Sequence, residues 1–64
     1  GEQVVVPVQV NGKLRGRVSV SVDASDADIE ASALAEPSVR QHVEGRTVRK
    51  VIVAKRRLVS IVVQ

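Results

Sequence analysis

The chain has 64 residues and a net charge of +3, and its apolar set is almost entirely Val, Ala, Leu and Ile, with no aromatic residue, Met or Cys. A chain this short makes one small domain that buries roughly 60% of its unfolded surface. Without Cys, neither a disulfide framework nor a thiolate metal site can reinforce it. No apolar run approaches the roughly 20 residues of a membrane span and no signal-peptide pattern is present, so a soluble setting is expected. The chain begins at Gly1 and lacks Met, as expected of a piece of a larger protein.

Residues 3–10 read as the first strand, with Pro7, which cannot donate to a ladder, marking an edge position or a bulge. Asn11 and Gly12 between alternating apolar residues are a strong hairpin signal. A two-residue loop would pair Val8 with Arg15 and Val6 with Arg17, mixing valines and arginines on one face. A loop of Val10, Asn11 and Gly12, with Gly12 left-handed beside a bulge, pairs Val8 with Leu14, Val6 with Gly16 and Val4 with Val18, and is the expected register. Lys13, Arg15 and Arg17 then share the outer face with Gln9, Pro7 and Val5. The second strand, residues 14–22, turns Leu14, Gly16, Val18, Val20 and Val22 inward. Gly16 in that row allows a neighbouring element to pack closely.

Ser25 is the expected N-cap of a first helix, with Asp26 and Asp28 near the positive end of its dipole and Asp28 in the place of a capping-box acid. Capping accounts for both aspartates, and no metal site is expected. Ile29 and Ala33 share one helical face, Pro37 ends the helix, and a second helix starting at Pro37 turns Val39 and Val43 inward before Gly45. His42 is the only histidine, and no sequence feature supplies the nucleophile or orienting carboxylate that a catalytic imidazole needs, so a structural or surface role is expected.

Residues 47–54 and 58–63 read as a second pair of strands joined by a turn at Lys55, Arg56 and Arg57. The last strand is apolar on both faces, which places it centrally or under cover on both sides. On the third, Arg49, Val51 and Val53 alternate against Val48, Lys50 and Ile52, and the pattern leaves the inward face open; Arg49 and Lys50 point to opposite faces. The expected architecture is α+β, strand-strand-helix-helix-strand-strand, with both helices on one face of a small mixed sheet.

Charge is segregated along this order. Residues 1–22 carry Glu2 against Lys13, Arg15 and Arg17, and residues 23–44 carry Asp23, Asp26, Asp28, Glu30, Glu36 and Glu44 against Arg40. From Gly45 onward there is no side-chain carboxylate, but there are Arg46, Arg49, Lys50, Lys55, Arg56 and Arg57. Such a pattern fits a phosphate-binding surface or a set of solvated faces and turn tips, and charge alone does not choose between them.

Residues 8–16 (VQVNGKLRG) and 47–53 (TVRKVIV), supported by Asp23, Ala24 and Ser25 and by Arg57, Leu58 and Val59 with Ile61, Val62 and Val63, carry a family resemblance. Over about residues 4–63 the chain resembles the C-terminal domain of bacterial-type leucyl-tRNA synthetases. It departs at the last hairpin turn, where Ala54, Lys55 and Arg56 replace the Pro-Gly usual in that family and add positive charge. The resemblance implies a non-catalytic appendage of a class I, ATP-dependent leucine-tRNA ligase in the cytoplasm, docking where the D and T loops of leucine-specific tRNA meet, and the agreement of hairpin and cap signals leads us to expect a monomeric chain. It implies no cofactor in this fragment, with ATP used by the parent catalytic domain, and the rest of the synthetase as second partner. The residues agree, since a cationic surface without aromatics suits backbone and shape readout better than base stacking.

Lys13, Arg15, Arg17, Arg49, Lys50, Lys55, Arg56 and Arg57 are the candidate tRNA contacts. Lys13, Arg15, Arg49, Lys50 and Arg57 fall on segments of the resemblance, while Arg17, Lys55 and Arg56 rest on charge. The competing reading is an intramolecular or subunit docking module whose apolar last strand joins another sheet edge. An enzyme is disfavoured by the absence of Cys, the single His and the lack of a Gly-rich phosphate loop.

Overall fold

A computed structural model of the chain describes residues 2–54 and 57–64. Its elements are β1 (Gln3–Val10), β2 (Lys13–Ser21), α1 (Asp26–Ala35), α2 (Pro37–Val43), β3 (Val48–Ala54) and β4 (Leu58–Val63), the α+β order that the sequence implies. The sheet runs β2-β1-β4-β3, with both hairpins antiparallel and β1 parallel to β4, so it is mixed. The doubly apolar β4 is central, as expected, and has no open edge to offer another sheet. Pro7 sits in an interior strand, yet among the described residues β1 pairs with β4 only at Val8, Gln9 and Val10. The missing N–H therefore falls just outside that pairing.

The first hairpin departs from the expected register by two residues. Val8 pairs with Gly16, Val6 with Val18 and Val4 with Val20, and a bulge interrupts the ladder between Val8 and Gln9. The turn is a two-residue one, with Val10 opposite Lys13 and positive φ at both Asn11 (52°) and Gly12 (82°), as a type I′ turn requires. Asn tolerates that conformation, and here it is also anchored: its N–H donates to Ile61 O at 2.8 Å and its Oδ1 accepts from Val63 N–H at 3.0 Å. The bulge leaves Arg15 unpaired and restores the alternation that a two-residue turn would otherwise invert, so Val6, Val8, Val18 and Val20 still share the buried face. Leu14, expected inward, falls before the bulge and is 53% exposed.

The helices cover one face of the sheet. Ser25 caps α1, its Oγ accepting from Asp28 N–H at 3.1 Å, and Ile29 and Ala33 are buried. Glu36 takes an extended conformation before Pro37, which opens α2 at its first turn. Val39 is buried over Gly16, where an added Cβ would lie 3.0 Å from Val39 Cγ2, so the missing side chain lets α2 lie close to β2. Val51 and Val53 pack against the core from β3, which settles the inward face left open by the pattern. The opposite face is open, with Val5, Leu14, Ile52 and Val62 exposed.

Candidate nucleic-acid interface

Among the described residues no strand carries a side-chain carboxylate, while β2 and β3 carry Lys13, Arg15, Arg17, Arg49 and Lys50. Acids lie in the helical layer, in the turn at Asp23 and at Glu2, so the sheet is cationic. How the cations group follows from the topology. Because β1 and β4 run parallel, the Asn11 turn after β1 and Arg57 before β4 lie at opposite ends of the sheet. Arg57 therefore cannot share a patch with the Asn11 turn.

At the Asn11 end, Lys13 and Arg15 meet His42 and Arg46, and with Val10 and Asn11 these residues line a depression of about 200 Å³. Each arrives for a local reason. Lys13 stands opposite buried Val10 directly after the turn, and Arg15 is the extra residue of the bulge. His42 comes from the last turn of α2, held near β2 by the contact over Gly16. Gly45, at φ 79°, turns the chain beyond α2, and Arg46 N–H donates to Val43 O at 3.0 Å. No carboxylate lines the depression. The expectation that Lys13, Arg15 and Arg17 share the outer face is thus corrected, because the bulge separates them: Lys13 and Arg15 reach the helix-side depression, and Arg17 stands opposite Pro7.

The remaining candidates are dispersed. Arg49 is unpaired at a second bulge, between Val48 and Lys50, and its Nη1 donates to Gln64 Oε1 at 2.8 Å. Lys50 pairs with exposed Val62 and so belongs to the open face. Arg57 is at the far end, its N–H donating to Ala54 O at 2.7 Å. Lys55 and Arg56 lie outside the described residues. Sequence reasoning missed Arg46 and gave His42 no place in the site. No helical spacing could have found them together, because α2 ends at Val43 and Gly45 redirects the chain before Arg46.

A second depression, lined by Leu34, Arg40, Val43, Glu44 and Val48, is mostly apolar and holds cation and acid together. It has none of the one-sign character of the first.

No family model matches the chain. Leucine–tRNA ligases do: that of Corynebacterium jeikeium (strain K411) is 56% identical over 61 residues, 95% of this chain. Those of Nitratidesulfovibrio vulgaris (strain DSM 19637 / Miyazaki F) and Caulobacter sp. (strain K31) are 53% and 51% identical, over 97% and 95% of it. The chain belongs to the leucyl-tRNA synthetase family, as one small domain of it. It spans only 6% to 7% of the length of these curated relatives. A solved structure agrees: the crystal structure of the ternary complex of Agrobacterium radiobacter K84 agnB2 LeuRS, tRNA and LeuAMS contains a region matching 98% of this chain, 8% of that one, with a TM-score of 0.91 and 33% identity. Within this domain, residues 8–16 form the anchored turn and bulge, and residues 47–53 lie along β3 beside β4, so both segments of the resemblance fall in the sheet.

Proposed function

We propose that this domain is a non-catalytic, C-terminal tRNA-binding appendage of its synthetase, gripping the backbone of leucine-specific tRNA at the corner where the D and T loops meet. The observation that carries this reading is the depression at the Asn11 end, where four basic side chains converge without a carboxylate. The likeness to a synthetase solved with tRNA supports it. Lys13 and Arg15 are the leading contacts, with Arg46 and His42 beside them and Arg49 and Lys50 on the opposite edge strand, β3. Arg17 and Arg57 belong to a weaker, separate group, and Lys55 and Arg56 are candidates on charge alone. The domain acts as a cytoplasmic monomer with no cofactor of its own, ATP and leucine being handled by the catalytic body. Tethering to that body raises the effective concentration of a weak isolated binder.

Deleting the domain from the whole synthetase is expected to lower tRNA charging and to leave leucine-dependent pyrophosphate exchange largely intact. A large loss of exchange in a folded deletion protein contradicts this. One observation favours a second reading: Val5, Leu14, Ile52 and Val62 leave the open sheet face apolar enough to dock on the parent. That docking would use a sheet face, not the edge of β4, which is paired on both sides. Binding of leucine-specific tRNA by the isolated chain at low salt favours the first reading, and its absence the second.

A further inference from the structure

We propose that the depression at the Asn11 end seats a single RNA backbone phosphate and that His42 joins the seat in its protonated form, making tRNA affinity rise as pH falls through the imidazole range. This rests on the RNA-binding reading and adds to it a ligand position and a proton. Lys13 and Arg15 come from β2, Arg46 from the loop after α2 and His42 from α2, so three elements supply positive donors to one volume of about 200 Å³. That volume admits a phosphate and a few waters, each water occupying about 30 Å³ in the liquid. Asn11, with its Oδ1 already engaged by Val63 N–H, keeps its amide N–H groups for the same ligand.

The carboxylates near α2 are held elsewhere. Glu36 accepts from Ser38 Oγ and its Cγ lies 3.6 Å from the Cβ position of Gly16. Glu44 lines the second depression with Arg40. The charged groups that share the first depression with His42 are therefore Lys13, Arg15 and Arg46, and none is acidic. The monoanionic phosphodiester bound among them favours the charged imidazole, since an opposite charge within about 4–6 Å stabilises the protonated form. With the imidazole protonated the seat has a fourth cation, and with it neutral the seat has three.

The test uses the 64-residue chain and leucine-specific tRNA at constant ionic strength, with affinity measured between about pH 5.5 and 8 and the His42 ring followed by NMR. The ring signals are unambiguous because the chain has one histidine. Affinity is expected to fall about three- to tenfold across that window, a drop that His42→Gln removes. The ring of the unmodified chain is expected to titrate at higher pH with saturating tRNA than without it, a readout that needs no variant to fold. Salt-dependent binding with an unmoved His42 titration, or with the same pH response in His42→Gln, overturns the seat and leaves the RNA-binding reading standing. No binding at low salt overturns that reading, and this inference with it.

Discussion

The two edge strands use the same device to different ends. β2 and β3 each carry a bulge, the unpaired residue of each is an arginine, and both bulges lie toward the end of the sheet marked by Asn11 and Val63. Arg15 joins an all-basic depression under α2, whereas Arg49 donates to the uncharged Gln64 Oε1 in an exposed pair. A bulge re-aims a side chain, but what that side chain then does depends on what packs beside the strand. Beside Arg15, Gly16 admits α2 and brings His42 and, through Gly45, Arg46. At Arg49 the contact is with the end of the chain.

If close packing at Gly16 makes this difference, disturbing it has the largest effect. Gly16→Val adds a Cβ 3.0 Å from Val39 Cγ2 and further carbons beyond it. Such overpacking costs about 1–3 kcal/mol, and at about 4–8 °C per kcal/mol for a small domain this is a clear drop in Tm. A melt like the parent's shows that α2 does not depend on that contact. Gly12→Val follows. No atom lies within 4 Å of its Cβ position, so the cost is set by the backbone alone at φ 82° and is about 1–2 kcal/mol by thermal or urea denaturation. An unchanged stability contradicts the left-handed two-residue turn. The smallest effect separates the two arginines by binding: Arg15→Ala is expected to flatten the salt dependence of tRNA affinity by about one phosphate contact, and Arg49→Ala by less. Equal losses make the bulges equivalent and the depression irrelevant.

Much of the fold was legible because short-range signals agreed with one another. Ser25, Pro37 and the apolar run from Leu58 to Val63 each set a cap, a break or a central strand that the structure contains. The hairpin register was not, because the alternation of β2 was read as unbroken. A turn and a bulge can cancel in parity, so the buried valines keep their face while the pairings beyond the bulge slip by two and Leu14 turns outward. The site suffered for the same reason. Lys13, Arg15 and Arg17 look like one stripe in sequence, but the bulge divides them, and the groups that join Lys13 and Arg15 come from 27 to 33 residues away, as the numbers of His42 and Arg46 against Lys13 and Arg15 give. Long-range placement of this kind requires knowing that α2 lies over Gly16.

The central claim is that RNA is held by one end of the sheet, and the salt dependence of tRNA binding tests it most directly. If about four phosphates are neutralised, log affinity falls with log salt at a slope of about −3 to −4. A folded Lys13→Ala, Arg15→Ala, Arg46→Ala variant, which empties the single-phosphate seat, is expected to flatten that slope by about one unit. A folded Arg17→Ala, Arg57→Ala variant, altered on the outer face and at the far end, is expected to keep the parent's slope. A slope unchanged by the triple replacement, or lost equally in both variants, contradicts the account.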